Sequence, residues 1–90
     1  MTSPSVPLFN LPNGDAGIVQ HVLAPTTAPE WQRWLSEIGF IPGERVQVMT
    51  RAMPGGDPLV VRVGDSTFAL RKAEAACILT LPLTGSPVTP

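Results

Sequence analysis

The stretch Arg33-Trp34-Leu35-Ser36-Glu37-Ile38-Gly39-Phe40-Ile41-Pro42-Gly43 limits what this chain can become. It reads as the end of an amphipathic helix, a glycine stop, an apolar plug and a turn. Trp31, Trp34, Leu35 and Ile38 recur at three- and four-residue spacings, which puts them on one side of a helix. Gly39 falls just past the last periodic residue, where a left-handed C-terminal cap sits. Phe40 and Ile41 then enter the interior. Pro42-Gly43 joins a preset φ to a residue free to take φ > 0, and so turns the chain. After Gly43 the pattern changes to strand-like alternation. One helix followed by strands predicts a small barrel that the helix plugs.

The strands can be read in order. Residues 17–23 form the first, with Ile18, Gln20 and Val22 on one face and Val19, His21 and Leu23 on the other. The helix covers residues 29–38, with Thr27 as N-cap, or Ala28 if Pro29 is the first helical residue. Glu30 lies in its first turn and complements the helix dipole. Residues 44–51 form the second strand, with Val46 and Val48 inward and Arg45, Gln47, Met49 and Arg51 outward. Residues 52–58 are too rich in proline and glycine for a regular element. Leu59, Val61 and Val63 line the inner face of the third strand. Gly64-Asp65 is a two-residue hairpin connection. The fourth strand, residues 67–71, turns Phe68 and Leu70 inward. A short helical turn over residues 72–76 leads to a fifth strand, residues 77–81, which Pro82 ends. Upstream, Leu8, Phe9 and Leu11 fold back onto the barrel. One helix cannot cover both faces of an open sheet, so the five strands are expected to curl into a barrel. The expected organisation is a loose arm (residues 1–7), one barrel domain (8–82) and a tail (83–90).

Composition removes several function classes. Ninety residues make one domain. Charged residues are 14% of the chain, against about 25% in typical soluble domains, so much of the surface is neutral. Six basic residues against seven acidic ones give a net charge of -1. That balance argues against nucleic-acid binding, which rests on a basic patch. No apolar run is long enough to insert into a membrane. Cys77 is the lone cysteine, so the fold does not depend on an internal disulfide. Residues 1–14 carry no lysine or arginine and no long apolar run, which is unlike a secretory signal. The expected compartment is the cytoplasm.

Catalytic chemistry is sparse. His21 is the only histidine, and a His21–Cys77 pair has no third group to orient it. An iron site asks for two histidines and a carboxylate, or several thiolates, which one chain cannot supply. The weak candidates for a shared divalent iron or zinc site are His21, Cys77, Glu74 and Asp57. Pro54-Gly55-Gly56-Asp57-Pro58 lacks the lysine of a phosphate loop and reads as a turn. No cofactor is expected. Contact chemistry is better represented. Trp31 and Trp34 are candidate partner anchors, and both cannot point to the centre of so small a barrel. Met49 and Met53 flank the long loop as adaptable apolar contacts, with Arg51 at their rim.

These elements together resemble the ferrous iron transport protein A family (FeoA domains). The resemblance rests on Leu8 and Leu11, Gly17-Ile18-Val19, and Arg33-x-Leu35-x-x-x-Gly39-x-x-Pro42-Gly43. It continues through Val46-x-Val48, Pro54-Gly55-Gly56-Asp57-Pro58, Val61-x-Val63 followed by Phe68-Ala69-Leu70-Arg71, and Glu74-Ala75 before Ile78. Trp31 and Trp34 depart from the usual family pattern, where less bulky residues are commoner. The resemblance implies an SH3-like β-barrel with an inserted helix. It implies a non-enzymatic protein that works beside FeoB, a membrane transporter with a GTPase domain, at the inner face of the membrane. The same barrel resembles the C-terminal domain of metal-dependent repressors, so a metal-responsive regulatory domain is the alternative. Self-association into a homodimer, through the apolar stretch 79–88 among others, stays open.

Overall fold

The computed structural model describes residues 5–83. The elements are β1 (Val6–Pro7), a 3-10 turn (Leu8–Asn10), β2 (Ala16–Val22), α1 (Glu30–Glu37), β3 (Arg45–Arg51), β4 (Leu59–Val63), β5 (Ser66–Leu70), α2 (Lys72–Ala75) and β6 (Ile78–Leu83). They build one antiparallel sheet in the order β1-β6-β2-β3-β4-β5. The fold is mainly β with an inserted helix, as the sequence implies. Leu8, Val19, Val48, Val61, Leu70 and Ile78 meet in a single core with Leu35 and Phe40. That convergence requires the sheet to curl around the side chains of its inner face.

The sixth strand comes from residues expected to be a loose arm. Val6 pairs with Thr80 and Pro7 with Leu79. Thr80 is fully buried, and its hydroxyl donates to the Val6 carbonyl at 3.0 Å. A buried hydroxyl needs such a partner, and the pairing holds the chain from Val6 onward. The arm's residues 1–4 and the tail's residues 84–90 lie outside the described residues, as does the distal part of the 79–88 stretch.

Two β-bulges break the expected alternation. In β2 the register shifts between Val19 and His21, so Val19 and Val22 are both buried although three residues apart. In β3 it shifts between Val48 and Thr50, which moves Arg51 off the solvated face. Pro82 does not end β6, which runs to Leu83 with Pro82 opposite Gly17. Among the described residues β1 pairs only with Leu79 and Thr80, so no described strand other than β2 pairs with Pro82, and a proline is tolerated where no ladder bond is needed.

The helix stop is as expected. Gly39 has φ +124°. Its N–H donates to the Ser36 carbonyl at 3.1 Å, and the Phe40 N–H donates to the Leu35 carbonyl at 3.0 Å. These are the two bonds of a Schellman cap, and they swing Phe40 into full burial. Ile41 does not follow Phe40 inward. Its carbonyl accepts the Glu44 N–H at 3.0 Å, which makes it the first residue of the turn and leaves it 43% exposed. At the other end, Pro29 precedes the helix without a side-chain cap, so neither Thr27 nor Ala28 caps it.

Candidate functional site: an acidic groove along the helix

Helix α1 divides its apolar residues between core and surface. Leu35 is fully buried, Trp31 and Ile38 pack against the core in part, and Trp34 stays 41% exposed. Trp31 and Trp34 thus become the apolar lining of an open groove of about 470 Å³. Glu30, Arg33 and Glu37 of α1 and Glu74 of α2 complete its lining. Three carboxylates face one guanidinium. That guanidinium is engaged, since Arg33 Nε donates to Glu37 Oε2 at 3.3 Å across one helical turn. The groove is aromatic at its base and acidic at its rim.

The far wall is held by the start of α2. The Arg71 N–H donates to Glu74 Oε1 at 2.8 Å, and the Lys72 N–H donates to Asp57 Oδ1 at 3.0 Å. The carboxylates satisfy N–H groups that a helix start leaves unpaired. Two of the weak metal candidates, Asp57 and Glu74, therefore have structural partners. His21 is exposed, on the other flank of α1, beside Leu23, Gln32, Ser36 and Pro42. Cys77 is buried, and its thiol donates to the Ala73 carbonyl at 3.3 Å. Burial, and then the nearby Glu74 charge, push the Cys77 thiol above its ordinary pKa. His21 and Cys77 are thus not brought together. Among the described residues no group of three His, Cys, Asp or Glu side chains is placed to hold a metal ion.

The contact candidates separate. Met49 and Met53 are 44% and 83% exposed but do not line the groove. Arg51 is not a solvated rim residue. Its guanidinium donates to Asn13 Oδ1 and to the Leu11 carbonyl, both at 2.6 Å, and to the Phe9 carbonyl. It also lies 5.4 Å from the centroid of the Phe9 ring. The acidic rim was not anticipated. Glu30 stands four residues before Trp34 and Glu37 three after it, a spacing that places both carboxylates beside the same indole. Glu74 had no such sign, because only the tertiary fold brings α2 to α1.

No helix in the described residues is long and apolar enough to cross a membrane. Among curated proteins none matches this chain by sequence. The FeoA domain family model matches residues 6–80. A zinc-complexed FeoA from Stenotrophomonas maltophilia is 33% identical, with 87% of this chain and 89% of that one covered and a TM-score of 0.74. That protein is described as a prokaryotic SH3 domain protein and a candidate ferrous iron transport activating factor. A FeoA-like protein from Clostridium acetobutylicum shares the fold at a TM-score of 0.80 and 22% identity, with 94% of each chain covered. A manganese-dependent transcriptional repressor shares it at a TM-score of 0.75 and 23% identity, with 92% of this chain but 45% of the repressor covered. From the sheet and Schellman-capped helix through to a family match that runs from β1 into β6, the chain belongs to the FeoA domain family.

Proposed function

We propose that this protein is a non-catalytic accessory factor of bacterial ferrous iron uptake that acts by binding a partner protein. The proposed partner is the cytosolic region of a FeoB-type transporter, which would bring this chain to the inner face of the membrane from the cytoplasm. The observation that carries the reading is the exposed Trp34 beside Trp31 in a groove rimmed by Glu30, Glu37 and Glu74. Tryptophan is among the residues most enriched in binding hot spots. The carboxylate rim fits a segment that is apolar in its middle and carries lysine or arginine at its edges. Such cations gain from the indole faces as well as from the carboxylates. Met49 and Met53 lie apart from the groove and would contribute only to a wider footprint.

A binding titration against the isolated cytosolic region of the transporter tests this. Saturable binding in metal-free buffer, lost in Trp34→Ala and weakened by added salt, is the expected result. Binding that survives both changes overturns the groove as the contact. The zinc complex of the Stenotrophomonas relative favours a second reading, a regulatory domain that responds to iron or zinc. Binding to the transporter that appears only with ferrous ion or zinc would favour that reading instead.

A further inference from the structure

The two edges of the sheet are built differently. The β1 edge is two residues long and ends on Pro7, both devices that blunt an edge against further pairing. The β5 edge has no such protection. Its sequence Ser66-Thr67-Phe68-Ala69-Leu70 holds no charge and no proline, and it pairs with β4 without a register shift. Val63 and Ser66 close the hairpin, so Ser66, Phe68 and Leu70 direct their backbone groups at β4. The N–H and C=O groups of Thr67 and Ala69 point away from the sheet. Among the described residues β5 pairs only with β4, no turn, loop or cap bond reaches Thr67 or Ala69, and both residues are exposed.

We infer that β5 pairs with β5 of a second copy of this chain, antiparallel about a two-fold axis at Phe68. The register follows from which groups are free. Thr67 of each copy stands opposite Ala69 of the other, and each of these pairs exchanges both hydrogen bonds. Phe68 stands opposite Phe68 of the second copy, in the closer type of antiparallel pair. Phe68 is only half-buried, with its ring centroid 6.2 Å from that of Phe40, so each ring has surface left for the other. Charge complementarity selects this register over its neighbours. Asp65 lies just before β5 and Arg71 just after it, both are exposed, and neither side chain has an ion-pair partner among the described residues. The two-fold at Phe68 sets Asp65 of each copy opposite Arg71 of the other, at both ends of the joined strands. A slip of two residues in either direction loses both of these pairings. No residue of β5 lines the groove along α1, and the lining residue nearest to β5 in the chain is Glu74, three residues past Arg71, so dimerisation and partner binding are separable by substitution.

The test is sedimentation of the full chain from about 10 µM to about 1 mM, the range of weak association. The expected result is a concentration-dependent doubling of mass. Asp65→Arg places two arginines opposite each other at each end, and Arg71→Asp places two aspartates there. Each variant alone is expected to weaken dimerisation at least about tenfold. Both are expected to fold as the parent does, since Asp65 is in an exposed turn and aspartate suits the cap position before α2. An equimolar mixture of the two is the decisive sample. Every Asp65–Arg71 contact is then replaced by a contact of opposite charges, and the mixture is expected to form heterodimers where neither variant alone dimerises. A wild-type chain that stays monomeric throughout overturns the inference. So do single variants that dimerise as well as the parent, or a mixture that remains monomeric. Trp34→Ala is expected to leave the dimer intact, which keeps a failure of this contact distinct from a failure of the groove.

Discussion

The Arg51 guanidinium lies 5.4 Å from the centroid of Phe9 and donates to the main-chain carbonyls of Phe9 and Leu11. One side chain from the end of β3 thereby anchors the segment that precedes β2. The Lys72 ammonium approaches the same ring at 5.0 Å, so two cations share one aromatic ring.

Arg51→Ala is expected to lower stability by about 2–4 kcal/mol. It leaves three acceptors without their charged donor, and each such bond contributes about 1.5 kcal/mol or more before losses to solvent. Arg51→Lys is expected to recover less than half of that, because an ammonium cannot serve three acceptors in a fork. Denaturant unfolding checks both. If Arg51 were a contact residue instead, the alanine variant would unfold like the parent and lose only partner binding.

Adjacent helix positions should give opposite phenotypes. Leu35 is fully buried and Trp34 is 41% exposed. Leu35→Ala is expected to cost about 2–5 kcal/mol of stability through the cavity it leaves. Trp34→Ala is expected to cost about 1 kcal/mol or less, yet to weaken binding of the transporter region by at least about tenfold. Thermal unfolding beside the binding titration separates the two. A Trp34 variant that unfolds as badly as the Leu35 variant would make Trp34 a core residue.

Gly39→Ala is expected to destabilise by about 1–2 kcal/mol, since φ +124° is a conformation that side chains rarely take. The space for a methyl group exists, with the nearest Val63 carbon 3.5 Å from the added atom, so the penalty is in the backbone. Calorimetry of Gly39→Ala and Gly39→Asn measures the penalty. Asparagine's tolerance of positive φ is confined to the αL range at about +57°, far from +124°, so a loss for asparagine at least as large as for alanine is the expected result.

Much of this fold is legible in the sequence because local rules decide it. The helical spacing around Leu35, the stop at Gly39 and the hairpin at Gly64-Asp65 each depend on a few neighbouring residues. The phase of the strands after a bulge is different. Met49 and Arg51 share a face in a regular strand, and the shift beyond Val48 parts them. Nothing local to residues 48–51 announces that shift. It is stabilised by acceptors on Phe9, Leu11 and Asn13, about 40 residues away in the chain. The site divides in the same way. The two tryptophans and the Glu30 and Glu37 flanks are helix-surface facts, whereas Glu74 joins them only when the sheet has delivered α2 to α1. The edge pairing of Val6 with Thr80 is equally non-local.

Cys77 makes stability depend on pH at the alkaline end. Its thiol is held above its ordinary pKa by burial and by the Glu74 carboxylate, so the folded protein keeps the proton where the unfolded chain has begun to lose it. The contribution is fully present below the unfolded thiol's pKa. It declines as the pH rises from about 8.5 and is gone once the pH has passed through the folded pKa. Unfolding free energy measured between about pH 7 and pH 10 is therefore expected to fall with a slope that Cys77→Ala reduces. Glu74→Gln removes one of the two causes and is expected to shift the onset of thiolate formation to lower pH. It also exchanges the carboxylate that accepts the Arg71 N–H for a neutral amide, so overall stability drops slightly at every pH. Ultraviolet absorbance of the thiolate in the folded protein reads the shift directly. A Cys77 that titrates in the ordinary thiol range, with a pH slope unchanged in Cys77→Ala, would show that the thiol is not shielded by the core.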